Sequence, residues 1–150
     1  MDFRRKPTLL TAEQYARDCV KHIKNAKRRV FLVSTTFRDD DEISAAIVDA
    51  LICAARRNVS VTIDVDVFTY LEPKEFILYH PKRQTSRAIQ AVKLERRLKK
   101  AGVNFHWLAR RTSFIAIGRT HCKWLVADDC VYVGGGVNMD HESFSNVDYM

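Results

Sequence analysis

Residues 59–68 alternate without a break: Val59, Val61, Ile63, Val65 and Val67 stand between Ser60, Thr62, Asp64 and Asp66. A two-residue period belongs to a β-strand, because successive side chains leave a strand on opposite faces. The stretches on either side have a different period. Residues 42–57 place Ile43, Ala46, Ile47, Ala50 and Ala54 on one helical stripe. Residues 87–101 turn Ile89, Val92, Leu94 and Leu98 inward to varying degrees, with Arg87, Lys93, Arg96, Arg97, Lys99 and Lys100 on a basic outer face. Strand and helix patterns in alternation predict an α/β fold, a mixed sheet flanked by helices.

The rest of the chain extends this order. Thr11 and Gln14 stand at capping-box spacing and start a helix. Tyr15, Cys19 and Ile23 then form its apolar face, and it ends near Asn25. Residues 30–37 open on Val30-Phe31-Leu32-Val33, the continuous apolar run expected of a buried central strand. Asp39, Asp40 and Asp41 precede the second helix. Capping and dipole compensation explain them more economically than a metal cluster does. Gly102 closes the third helix, and residues 103–108 form a further strand with Trp107 packed. Asp64 and Asp66 share one strand face and could do acid–base work, Asp66 being the better placed near the strand's C-terminal end.

Three segments are less regular. Residues 69–86 make a long connection with Pro73, Pro81 and an aromatic cluster, either a lid, a membrane-touching loop or a packed satellite. His80 within it is not expected to be a ligand. Residues 109–120 form a loop with Arg110, Arg111, Phe114 and Ile117. It should border the mouth of a site. The last residues, 146–150, look like the start of a strand, as though more polypeptide normally follows.

The 150 residues have one domain's length, 1–150, best supported over 27–150. No run of eighteen apolar residues exists, and the basic N-terminus has no apolar stretch behind it. No transmembrane helix or signal peptide is therefore expected, and a cytoplasmic location, or a peripheral one at the inner face of the membrane, is. The net charge of +7 favours anionic partners: nucleic acid, acidic head groups or phosphate esters. A solvated basic surface would explain it as well. Cys19, Cys53, Cys122 and Cys130 have no C-x2-C spacing. They read as small buried residues in a reducing compartment, with no metal or other cofactor implied.

Residues 121–138 carry the chemistry. They read H-x-K-x4-D-x6-G-G-x-N, with His121, Lys123, Asp128, Gly135, Gly136 and Asn138 in the specified places. Six specified positions arise by chance in a chain this short on the order of a few times in a million. On a strand, His121 and Lys123 share a face, and Cys122, Trp124 and Val126 point the other way into a core. An imidazole beside an ammonium suits a phosphodiester. The lysine binds phosphate oxygens, and the histidine attacks phosphorus or shuttles a proton. Asp128, ending the strand, could fix a ring tautomer or pair with the lysine. After a second strand over residues 130–133, Gly134, Gly135 and Gly136 let backbone N–H groups approach an anion. Asn138 adds a neutral hydrogen bond.

This stretch resembles the HKD motif of the phospholipase D superfamily, including the G-G-x-N tail. Arg119-Thr120 suits the cardiolipin-synthase-like branch, and Gly136 stands where many members carry serine. The resemblance implies a phospholipase D-like half-domain whose site is completed by a second HKD half or by a homodimer mate. It implies metal-independent cleavage or transfer through a phosphohistidine, without a cofactor. His121 would be nucleophile or general acid, Lys123 and Asn138 would hold the phosphate oxygens, Asp128 would support them, and Gly135 and Gly136 would shape the floor. The expected substrate is a phospholipid with an anionic head group, as in the N-terminal half of a cardiolipin-synthase-like phosphatidyltransferase. A single-motif homodimeric endonuclease cleaving nucleic acid is the alternative, and a half used only for binding is a third class.

Overall fold

The computed structural model describes residues 6–70, 85–108 and 120–145. Helix α1 (Ala12–Asn25) starts where the capping box predicts. Thr11 Oγ1 accepts from the Gln14 N–H and Gln14 Oε1 accepts from the Thr11 N–H, at 3.3 and 2.9 Å. Its buried face is Tyr15, Cys19 and Ile23, as their spacing requires. Helix α2 (Glu42–Arg56) is capped by Asp41, whose carboxylate accepts from the Ser44 N–H at 2.7 Å. Helix α3 (Ser86–Lys100) is capped by Thr85 and buries Ala88, Ala91, Leu94, Glu95 and Leu98. Ile89, expected inward, is 40% exposed, because the buried stripe runs through the smaller alanines beside it. A short helix α4 (His141–Ser145) follows the motif and has no sequence-level counterpart above.

Five strands form one mixed sheet in the order β3-β2-β1-β4-β5. They are β1 (Arg29–Ser34), β2 (Ser60–Asp66), β3 (Asn104–Leu108), β4 (Trp124–Ala127) and β5 (Cys130–Val133). Strands β1, β2 and β3 are parallel, while β4 pairs antiparallel with β1 and β5 with β4. The apolar run predicted as central is central. Both β1–α2–β2 and β2–α3–β3 step the same way across the sheet. Right-handed crossovers therefore put α2 and α3 on the same face. That face is the core: Val30, Leu32, Val61, Ile63, Val65, Phe105 and Leu125 pack with residues of α1, α2 and α3. Beyond β2 the alternation stops, and residues Val67–Tyr70 turn into a 3-10 helix.

The register overturns the expected orientation of the motif strand. Leu32 pairs with Leu125 and Val30 with Ala127. Cross-strand partners share a face, so Leu125 and Ala127 join Val30 and Leu32 in the core. Trp124 and Val126 pair with Val33 and Phe31 and lie on the other face. Trp124 is 48% exposed there, next to exposed Val131 and Val133 on β5. The apolar character of 124 and 126 is shared by both parities of this strand, so alternation alone had no way to choose.

The cysteine expectation is also corrected. Cys19 is buried, but Cys53, Cys122 and Cys130 are exposed. Cys53 sits beside the buried stripe of α2 rather than in it, and Cys130 starts an edge strand. Most of the two long connections and the expected terminal strand lie outside the described residues. Within the described helices, none is long and apolar enough to cross a membrane.

Candidate functional site

The C-terminal end of β1 organises the site. After Ser34 the strand ends, and residues 35–38 are held by both ends of the motif. Thr35 Oγ1 donates to the Thr120 carbonyl at 3.3 Å. The Arg38 N–H donates to the Met139 carbonyl at 2.9 Å, and the Met139 N–H donates to the Thr36 carbonyl at 3.2 Å. The Thr36 N–H lies 3.4 Å from Asn138 Oδ1. One short stretch thus joins the start of the motif to its tail. The location is the one expected of a ligand site in an open α/β sheet, outside the carboxyl ends of parallel strands.

His121 is exposed, and its backbone is fixed by its neighbour. The Thr120 N–H donates to Asp66 Oδ2 at 2.9 Å, and the Cys122 N–H donates to Thr120 Oγ1 at 3.1 Å. Asp66 is fully buried at the end of β2. Its carboxylate anchors the residue before the histidine. Asp64, weighed with it, lies on the same strand face and meets His106 Nδ1 across the β2–β3 pair at 2.9 Å.

Lys123 is 3% exposed. Its ammonium donates to the His121 carbonyl at 2.9 Å, so its charge is held against the histidine's own backbone. Burial pushes the lysine below the ordinary range, partly offset by the thiol of Cys122 and the carboxylate of Asp140. Asp140 is itself buried, accepting from Thr36 Oγ1 and from the Ser143 N–H. It caps α4, and its negative charge acts on the lysine.

The glycines divide their roles. A Cβ on Gly134 would stand 2.7 Å from Lys123 Cβ and 3.0 Å from two carbonyl oxygens. Gly134 also donates its N–H to the Lys123 carbonyl at 2.5 Å and accepts from the Val137 N–H. The closest backbone approach in the site is therefore to the lysine. Gly135 turns the chain in the left-handed region, φ 50, and Gly136 is exposed beside it.

Asp128 is not with the others. It lies seven residues beyond His121, roughly 20 Å along an extended chain. Its carboxylate accepts from the backbone N–H groups of Lys27, Arg28 and Arg29 at 2.8, 2.9 and 3.0 Å. Those bonds, Arg29's above all, hold it down to about 2. It neither orients the imidazole nor pairs with Lys123. It ties the β4–β5 turn, where its own φ is 51, to the start of β1. Strand β4 lies between His121 and Asp128, and it begins only at Trp124, so His121 and Lys123 precede the strand they were expected to stand on.

The structure thus brings together His121, Lys123, Gly134, Gly135, Gly136 and Asn138, and separates Asp128. Sequence reasoning did not single out Asp140, Thr35, Thr36 or Arg38. The signal for them was weak: polar residues just past a buried strand, where the pattern ends.

Comparison with known proteins fits this geometry. The family model "Cardiolipin synthase, PLD-like domain" matches residues 19–149. No curated protein matches. Among solved structures, Nuc from Salmonella typhimurium, a phospholipase D family member, superposes with a TM-score of 0.64 at 15% identity, covering 96% of this chain and 80% of that one. NucT from Helicobacter pylori gives 0.54 at 18% identity, covering 96% and 82%. Polyphosphate kinase from Porphyromonas gingivalis gives 0.52 at 15% identity, covering 82% of this chain but 17% of the kinase. These likenesses concern the fold, and the family match concerns almost the whole sequence. The chain belongs to the cardiolipin synthase PLD-like domain family, within the phospholipase D superfamily.

Proposed function

We propose that this protein cleaves or transfers phosphodiesters through His121, as a phosphatidyltransferase or phospholipase D of the cardiolipin synthase type. The observation that supports it is the Lys123 ammonium, buried and fixed 2.9 Å from the carbonyl of His121. A buried lysine is costly unless its charge is used or paired, and this one donates to a neutral carbonyl beside an exposed imidazole.

In the proposed reaction an imidazole nitrogen of His121 attacks phosphorus and the bond to the leaving oxygen breaks. A second HKD histidine, from another half or another copy, protonates that oxygen. Lys123 and the Asn138 amide hold the non-bridging oxygens, where charge builds in the transition state. Water or an alcohol then attacks the phosphohistidine, releases the product and frees the ring. The chemistry of these residues calls for no metal.

Substrate incubation followed by mass spectrometry tests the reading. The protein is mixed with phosphatidylglycerol vesicles, and the adduct is sought as an acid-labile phosphatidyl group on His121. Loss of both adduct and turnover in His121→Ala supports the proposal, and equal turnover in that variant rejects it. The net charge of +7 favours a second reading, a homodimeric nuclease. That reading expects DNA cleavage that persists in chelator, falls steeply with salt, and comes from a particle of twice the 17.3 kDa chain mass.

A further inference from the structure

A cavity of about 310 Å³ lies beside the proposed reaction centre, between the end of β1 and the first turns of α3. Phe37, Arg38, Asp39, Asp40, Arg87 and Gln90 are among its lining residues. Arg38 carries the site's unspent chemistry. Its side chain is 13% exposed, and its Nε is buried without a hydrogen-bond partner. Its nearest carboxylate oxygen, Asp40 Oδ2, stands 3.9 Å from Nη1, beyond hydrogen-bond range.

The carboxylates near it each hold another partner, although Asp40 Oδ2 also makes a long ion pair with Arg38. Asp39 accepts from Arg97 at 2.8 Å. Asp40 accepts from the His141 N–H at 3.0 Å. Asp140 serves Thr36 and Ser143. A buried guanidinium with unspent donors is costly in a folded protein unless an anion meets it. A second cation, Arg87, lines the same space, and the first turn of α3 contains no acidic residue to offset the positive end of the helix. Burial first, and the like charge of Arg87 next, push Arg38 below its ordinary range, ahead of the opposing influence of Asp140, Asp40 and Glu142.

We propose that this cavity is an oxyanion subsite, and that it takes a second phosphate group carried by the same substrate whose phosphodiester reacts at His121. The assignment of a second phosphate rests on the phosphodiesterase reading above; the anion site itself does not. Contiguity links the two. The Arg38 N–H is bonded to the Met139 carbonyl, one residue past Asn138, and Asp140 acts electrostatically on both Lys123 and Arg38. The Thr69 hydroxyl is engaged, accepting from the Phe37 N–H and donating to the Thr35 carbonyl, which leaves the guanidinium fork and the Gln90 amide as donors to phosphate oxygens.

Calorimetric titration with inorganic phosphate tests the anion site on the full chain. The Lys123→Met variant, disabled at the reaction centre, should still bind one phosphate. Adding Arg38→Gln should weaken that binding tenfold or more. Gln90→Glu, on an exposed turn of α3, should weaken it similarly and decides the matter should Arg38→Gln fail to fold. Phosphate binding unchanged by both changes overturns the site, whatever the enzyme's activity. A series of α,ω-alkanediol bisphosphates tests the link to the substrate. At least one length should bind the wild type tenfold tighter than phosphate, and lose that gain in Lys123→Met and in Arg38→Gln alike. If no length gains, the cavity takes free anions and the shared-substrate proposal falls, even with the phosphodiesterase reading intact.

Discussion

The buried carboxylate of Asp66 accepts a 2.9 Å hydrogen bond from the N–H of Thr120, the residue before His121. The end of one parallel strand thereby sets where the motif begins. Asp66→Ala removes the acceptor and leaves a partly buried N–H unsatisfied, at a cost of about 1–3 kcal/mol. The larger effect is expected on turnover. Misplacing a reacting group by about 1 Å costs on the order of a hundredfold, so kcat should fall far more than KM rises. A variant that loses stability while keeping kcat would reduce Asp66 to a purely structural role.

Gly134 and Gly102 separate space from backbone strain. Gly134→Ala drives a Cβ to 2.7 Å from Lys123 Cβ, with backbone oxygens at 3.0 Å. Overpacking of this kind costs about 1–3 kcal/mol, and here the group that must move is the lysine. Gly102→Ala meets nothing within 4 Å but sits at φ +93. It should cost about 1 kcal/mol through strain and leave activity untouched. Parallel denaturation curves and turnover assays compare the two. Full activity in Gly134→Ala would show that the lysine tolerates displacement.

Lys123→Met should lose activity without losing stability. The ammonium is buried against a neutral carbonyl, so an apolar chain of similar length removes a desolvation cost that offsets the hydrogen bond it forfeits. Removal of a charge that stabilises a transition state costs on the order of a hundredfold or more in kcat. The sign of the pH dependence follows from burial. The lysine's depressed value means that the folded state favours the neutral amine, so the cost of burying the ammonium is present below that value and disappears above it. The alkaline limb of the activity profile should therefore fall at a lower pH than an exposed lysine would give. A limb unchanged in Lys123→Arg, whose charge persists, would assign it to another group.

Asp128→Asn should weaken the fold and spare the chemistry. The carboxylate holds three backbone N–H groups, and an amide oxygen replaces a charged acceptor by a neutral one, a loss of about 1–2 kcal/mol. The aspartate is held down to about 2 from an ordinary 3.8. Its contribution is complete above the ordinary value and is lost as pH falls through the lowered one, so acid unfolding of the wild type should steepen between those values. Denaturant midpoints measured from pH 6 downward should converge for wild type and Asp128→Asn at the acid end. A dead but equally stable Asp128→Asn would restore a role in the reaction.

Periodicity carried the local architecture. The alternation of residues 59–68 and the apolar run at Val30 gave strands, and the stripes of α1 and α2 gave helices with their caps, because period and capping chemistry are properties of neighbouring residues. The spacing of His121, Lys123, Gly135, Gly136 and Asn138 likewise picked out the candidate site, since the motif's members are local and lie on either side of the β4–β5 hairpin. Tertiary structure decided the rest. Which face of β4 is core depended on pairing with Leu32 and Val30, far earlier in the chain and invisible to a pattern that is apolar on both faces. Asp128 and Asp66 both left the roles their positions suggested, because a carboxylate acts on whatever N–H groups the fold brings to it: Lys27 to Arg29 for one, Thr120 for the other.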